Sequence, residues 1–142
     1  MTGFQSEILI DSSSGIQFID ITGRVNDLLH KSEVKDGIIV VFSNHTTASV
    51  RITERCDRLQ MDMTDYLEEA VPKMGYRHDE QTIDNRQNAR MHIMSLFMNA
   101  SETIPIKNGE MMLGRWQSIF FVELDGPREG RKVIVKILDE SR

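Results

Sequence analysis

Gly37-Ile38-Ile39-Val40-Val41-Phe42 is the most apolar run in the chain, and it passes through Ser43 into Asn44-His45-Thr46-Thr47-Ala48. A run this short and this rich in β-branched residues reads as a strand buried in the core. An imidazole and two hydroxyls, Thr46 and Thr47, therefore emerge where a rigid core strand ends. Polar groups fixed at the rim of a scaffold are a frequent arrangement for binding and chemistry.

Outward from this stretch, Asp36-Gly37 is a turn feeding the strand, and Thr47 to Thr53 alternates with Ala48, Val50 and Ile52 on one side, the pattern of a further strand. Upstream, Glu7 to Ile10 and Ile16 to Ile21 flank Ser12-Ser13-Ser14-Gly15, which predicts an opening hairpin. Thr22 can cap a short helix carrying Val25, Leu28 and Leu29. Downstream, Asp57 with Gln60 has the form of a capping box ahead of a stripe formed by Leu59, Met63, Tyr66, Leu67, Ala70 and Val71, ended by Pro72 and Gly75. Tyr76 to Thr82 reads as a polar loop. Asp84 with Gln87 repeats the cap signature before a second stripe of Ala89, His92, Ile93, Leu96, Phe97 and Ala100. The chain then turns extended: Thr103 to Ile106, a turn at Asn108-Gly109, Met111 to Leu113, Gln117 to Leu124, a turn at Asp125-Gly126-Pro127, and Lys132 to Leu138. The last segment puts Val133, Val135 and Ile137 inward and Lys132 and Lys136 outward, the mark of a sheet with one wet face. Strands, helix, strands, helices, strands is the order of an α+β fold with an antiparallel sheet, in a single domain spanning 1–142.

The totals bound the function classes. A chain of 142 residues can bury a real core. A net charge of −5 argues against a nucleic-acid partner. No apolar run is long enough to span a bilayer, and the residues after Met1 have neither the basic nor the apolar stretch of a secretory leader. A single cysteine, Cys56, excludes an intramolecular disulfide and fits a reducing cytoplasm. Walker, dinucleotide-binding and Gly-x-Ser-x-Gly patterns are absent from the sequence.

Three histidines stand out. His45 follows the core strand, His78 falls in the loop beside Asp79, and His92 lies on the apolar face of its helix. Imidazoles from three separate elements can hold a divalent metal with an open position for water or substrate. Equally, His92 can be a core histidine and His78 a solvated one. Glu54 and Asp62 can orient a histidine, accept a proton or help hold a metal, or can simply be solvated carboxylates. In Leu113-Gly114-Arg115-Trp116-Gln117 the glycine allows close approach and Trp116 can wall a pocket or fill the core. Arg128, Arg115 and Arg90 are candidates for gripping a phosphate, because a guanidinium fork matches its oxygens.

Taken together, His45-Thr46-Thr47-Ala48 with Glu54, Asp62 ahead of Val71-Pro72, Tyr76-Arg77-His78, Asn88-Ala89 with His92, Leu113 to Gln117, and Glu123 through Arg128 resemble the YjbQ family, described as secondary thiamine-phosphate synthases. The resemblance runs from about Ile8 to Leu138. It implies two main helices packed on a β-sandwich of seven or so strands, assembled as a homotrimer. It implies that His45, Glu54, Asp62, His78 and His92 gather in one pocket between subunits as catalytic residues. Zinc or magnesium would be held there by His45, His78 and His92, and a small phosphorylated molecule would be contacted by Thr46, Thr47, Asn88, Arg115, Trp116, Gln117 and Arg128. The implied reaction joins a pyrimidine-methyl diphosphate to a thiazole phosphate, giving thiamine phosphate. The chain departs from the family at Arg115, where a small hydroxyl residue is usual. A metal-dependent hydrolase and a non-catalytic trimeric protein binding a small ligand or metal are the competing expectations.

Overall fold

A computed structural model describes residues 2–80 and 83–140. Its elements in chain order are β1 (Thr2–Ile10), β2 (Gln17–Asp20), α1 (Thr22–Ser32), β3 (Gly37–Ser43), β4 (Ala48–Glu54), α2 (Asp57–Ala70), α3 (Arg77–Glu80), α4 (Ala89–Met94) with a 3₁₀ turn at Ser95–Phe97, β5 (Ser101–Lys107), β6 (Glu110–Met111), β7 (Gln117–Glu123) and β8 (Arg131–Asp139). The eight strands form a five-stranded sheet, ordered β1-β8-β3-β5-β6, and a three-stranded sheet, ordered β2-β7-β4. All pairings are antiparallel. The α+β class and the antiparallel pairing expected from the sequence are therefore present, as is the sandwich of seven or so strands that the resemblance implies.

Alternation explains how the layers stack. Ile8, Ile10, Ile39, Val41, Ile104, Ile106, Val133, Val135 and Ile137 turn from the larger sheet toward Val50, Ile119 and Phe121 of the smaller one, and α1 adds Val25 and Leu29 to the same core. The opposite phase of β7, Phe120 and Val122, meets Leu67 and Val71 of α2 and Met94 of α4. Strand β7 is thus covered on both faces, which accounts for its unbroken Ile119-Phe120-Phe121-Val122. The expected core strand, β3, buries Ile39 and Val41 fully on one face, while Ile38 and Phe42 on its outer face are each 38 % exposed.

Other local expectations are corrected. The opening hairpin does not form, because β1 pairs with β8 in one sheet and β2 with β7 in the other. Thr22 does not cap α1. Its Oγ1 donates to Asp20 Oδ1 at 2.6 Å and accepts from the Ile119 N–H at 2.8 Å, tying the helix start to β7. In α2 the capping residue is Cys56, not Asp57, and Gln60 Oε1 reaches back to accept the Cys56 N–H at 2.9 Å. The expected polar loop from Tyr76 contains helix α3, while its end, Gln81 and Thr82, lies outside the described residues. Asp84 and Gln87 start no helix. Asp84 Oδ1 accepts from the Arg86 N–H in a local turn, and Asn85 and Gln87 take positive φ. Helix α4 begins at Ala89, whose N–H is accepted by Asp79 Oδ1 of α3 at 3.0 Å. The second stripe breaks at Leu96, which is 81 % exposed, and the buried position is Met94. The Asn108-Gly109 turn is as expected: both residues have positive φ, the geometry that joins β5 to β6 in a two-residue hairpin.

Candidate active site: an arginine-lined pocket at one end of the sandwich

The end of β3, the end of β7 and the start of β8 meet at one end of the sandwich. There Glu123 is fully buried and Arg131 nearly so. Arg131 donates from Nε to Glu123 Oε2 at 2.9 Å and from Nη2 to Oε1, so one pair bridges the two sheets. Ser12 Oγ donates to Glu123 Oε2 at 2.8 Å, and the Asp125 N–H donates to Oε1 at 3.0 Å. Burial alone pushes the Glu123 carboxyl up. The hydrogen bonds from Arg131, the Asp125 amide and Ser12 outweigh it and hold Glu123 below its usual value. Arg131 Nη2 also donates to Thr47 Oγ1 at 3.0 Å and Thr47 O at 3.2 Å, fixing the segment that follows β3.

The turn after β7 carries a second cluster. Asp125 Oδ2 accepts from Asn88 Nδ2 at 2.8 Å, from Arg128 Nη2 at 2.8 Å and from Arg86 Nε at 3.3 Å. Burial raises this carboxyl, but the bonds from Asn88, Arg86 and Arg128 keep it low. Gly126, joined to Pro127 by a cis peptide, must be glycine: a Cβ there would stand 2.1 Å from Ser14 O and 2.9 Å from Glu123 Cγ.

Over these groups lies a cavity of about 540 Å³. Its walls include His45, Thr46, Thr47, Asn88, Arg128 and Arg131, and His78 and His92 close one side. The His78 and His92 rings meet edge to face, 4.9 Å between centroids. His45 Nε2 accepts the Lys132 N–H at 2.9 Å. Desolvation, then the charges of Arg131, Arg128 and Lys132, lower its pKa below 6.5, against an opposing pull from Glu123. Arg86 and Arg128 pair with Asp125 and Arg131 with Glu123, while Arg128, Arg131 and the carboxylate of Asp84 stand on the cavity wall itself. Guanidinium donors on a cavity wall can grip the oxygens of an anion.

Of the residues singled out in the sequence, His45, Thr46, Thr47, His78, Asn88, His92 and Arg128 come together here. Glu54, Asp62, Arg115, Trp116 and Gln117 do not. In the β4–β7 ladder Ala48 pairs with Glu123 and Glu54 with Gln117, so six residue steps, about 20 Å of strand, separate the two ends. Asp62 lines a different hollow, of about 350 Å³, with Phe18, Met63 and Tyr66. Trp116 is 65 % exposed rather than core, with the Arg115 guanidinium stacked 4.9 Å from its ring centre. Arg90 is committed elsewhere, donating to Val71 O and Glu68 O at the end of α2. The three histidines share the cavity, yet among the described residues no group of three or more His, Cys, Asp or Glu side chains is placed to hold a metal ion. His45 Nε2 already accepts the Lys132 N–H, so the lone pair of that nitrogen is not free for a metal.

Arg131, Arg86 and Ser12 escaped the reading of the sequence. Arg131 had a signal: it shares the inward phase of Val133, Val135 and Ile137, and Glu123 that of Ile119 and Phe121. Opposite charges on the inward phases of two strands announce a buried pair. Arg86 and Ser12 had none.

An antiparallel two-sheet α+β domain with an arginine- and histidine-lined pocket at one end defines the class. Residues 6–140 match the family described as UPF0047 protein YjbQ-like, and the chain belongs to that family. It is 42 % identical over 132 residues to a UPF0047 protein of Methanothermobacter thermautotrophicus, covering 92 % of this chain and 90 % of that one. It is 33 % identical to the UPF0047 protein YugU of Bacillus subtilis, over 79 % and 83 % of the two chains. Among solved structures, a YbjQ-like protein of unknown function from Sulfolobus solfataricus superposes with a TM-score of 0.91 at 33 % identity, covering 98 % and 99 % of the two chains. An uncharacterized conserved protein of the same family from Clostridium acetobutylicum superposes at 0.84 with 42 % identity, covering 94 % and 99 %. Among the described residues no helix is long and apolar enough to cross a membrane.

Proposed function

We propose that the pocket takes a small phosphorylated molecule and that the protein is a transferase of the secondary thiamine-phosphate synthase kind. In that reaction a pyrimidine-methyl diphosphate loses diphosphate and its methylene carbon is captured by the ring nitrogen of a thiazole phosphate. The observation that carries the reading is the pair of guanidiniums, Arg128 and Arg131, on the cavity wall beside three histidines. Arg128, 28 % exposed at its side chain, is the arm that can turn to a diphosphate, while Arg86 remains on Asp125. Charge leaving with the diphosphate is then met by the Arg128 guanidinium, which lowers the barrier. Thr46, Thr47, Asn88 and His45 add hydrogen-bonding groups for the same oxygens.

The developing cation on the methylene carbon calls for carboxylates, and Glu54 and Asp62 are at the far end of the same chain. The reading therefore includes a homotrimer in which Glu54, Asp62, Arg115, Trp116 and Gln117 of one copy face the histidine pocket of the next. Exposed Tyr66, Phe97 and Trp116 around that far end support a covered surface there.

The experiment is thiamine-phosphate formation by the purified protein from both precursors, beside His45→Ala. Product from the wild type that is lost in a folded His45→Ala variant supports the transferase reading. No product from an intact wild type rejects it.

A further inference from the structure

We infer that His45 works as a neutral imidazole that donates a hydrogen bond from Nδ1 to the anionic ligand, and is neither a metal ligand nor a proton-abstracting base. The ligand half of this inference rests on the anion-pocket reading above; the tautomer half stands on geometry alone.

Lys132 N–H points at His45 Nε2 from 2.9 Å. An N–H can be accepted only by a ring nitrogen with a free lone pair, so Nε2 is unprotonated. The proton of the neutral ring is then on Nδ1, as the partner of one nitrogen decides the state of the other. Among the described residues Nδ1 has no hydrogen-bond partner, while the ring borders the anion cavity. Lys132 cannot easily give way. Its N–H belongs to β8, which is zipped between β1 and β3, and the preceding Arg131 is locked to Glu123 and Thr47. The same residues therefore anchor both walls of the segment that holds His45.

Two consequences follow. With Nε2 occupied and Nδ1 protonated, the ring offers no lone pair to a metal or to a substrate proton. What it offers is an N–H beside two guanidiniums, where it completes a ring of donors around phosphate oxygens.

The test is long-range nitrogen–proton NMR of the imidazoles in the intact protein at pH 7–8, free, with zinc ion, and with inorganic diphosphate. The expected result is the Nδ1–H tautomer at His45, unmoved by zinc and shifted at Nδ1 by diphosphate. A second arm compares diphosphate binding in His45→Asn, whose amide nitrogen can stand near the Nδ1 position, and His45→Gln, which reaches toward Lys132 but not toward the ligand. His45→Asn should bind within about tenfold of the wild type, and His45→Gln roughly ten- to a hundredfold more weakly. An Nε2–H tautomer, a zinc-dependent shift of the His45 nitrogens, or tighter binding by the Gln variant than by the Asn variant would overturn the inference. An Nδ1–H tautomer in a protein that binds no diphosphate would support the tautomer and reject the anion-pocket reading.

Discussion

Glu123 at the end of β7 and Arg131 at the start of β8 close on each other between the two sheets, so the pair that shapes the pocket also joins the sandwich at that end. Removing one partner leaves the other buried and uncompensated. Glu123→Ala should therefore cost about 3–5 kcal/mol, measured by denaturant unfolding. Loss of under 1 kcal/mol would mean that Arg131 finds water or another partner.

The same pair sets an acid limb. Glu123 and Asp125 are both held below their ordinary values of 4.5 and 3.8. A depressed carboxylate contributes stability that is full above its unfolded pKa and is lost as pH falls through the folded one. Stability should thus decline as pH drops below about 4.5, and Glu123→Gln should flatten part of that decline. His45 adds a shallower slope of the same sign. Its lowered pKa means that the unfolded chain binds the extra proton first as pH falls below 6.5, which favours unfolding. Thermal melts from pH 4 to pH 8 (~0.5-unit steps) resolve both.

Arg86 should matter for ligand more than for fold. Its side chain is 36 % exposed and its ion pair with Asp125 is worth about 0–1 kcal/mol. Arg86→Gln leaves Arg128 alone to neutralise Asp125 and so ties Arg128 more firmly to that carboxylate. Diphosphate binding should weaken roughly tenfold with a smaller salt dependence, while stability changes by under about 1 kcal/mol. Equal salt dependence in variant and wild type would argue against the charge account.

Trp116→Ala should leave the stability of a single chain within about 0.5 kcal/mol, because the side chain is mostly in solvent. If neighbouring copies share a site, it should still abolish product formation. Mixing inactive His45→Ala and inactive Trp116→Ala chains should then restore part of the activity, since some mixed sites carry both wild-type halves. Mixtures as inactive as their components would reject the shared site.

Much of the fold was legible where periodicity was strong and partners were implied by it. Val133, Val135 and Ile137 marked the inner face of β8, and Asn108-Gly109 marked a tight hairpin. The opening hairpin was misread because proximity in sequence does not decide which sheet a strand joins. Residues 11–16 carry the chain from one sheet to the other. The second helix was misread because Asn85 and Gln87 take left-handed backbone and delay the start to Ala89. In the site, residues on the rim of β3 were visible as chemistry after an apolar run. Arg86 and Ser12 were not, since their partners are 39 and 111 positions away and only the folded sheets bring them together. Glu54 and Trp116 were grouped with the histidines by resemblance, and the length of β4 separates them within one chain.

The most direct measurement is calorimetric titration of the intact protein with inorganic diphosphate, wild type beside Arg128→Gln. An anion pocket predicts saturable one-site binding that weakens by about tenfold or more in the variant and falls with added salt. Absence of binding by the folded wild type, or binding that Arg128→Gln leaves unchanged, would contradict the account.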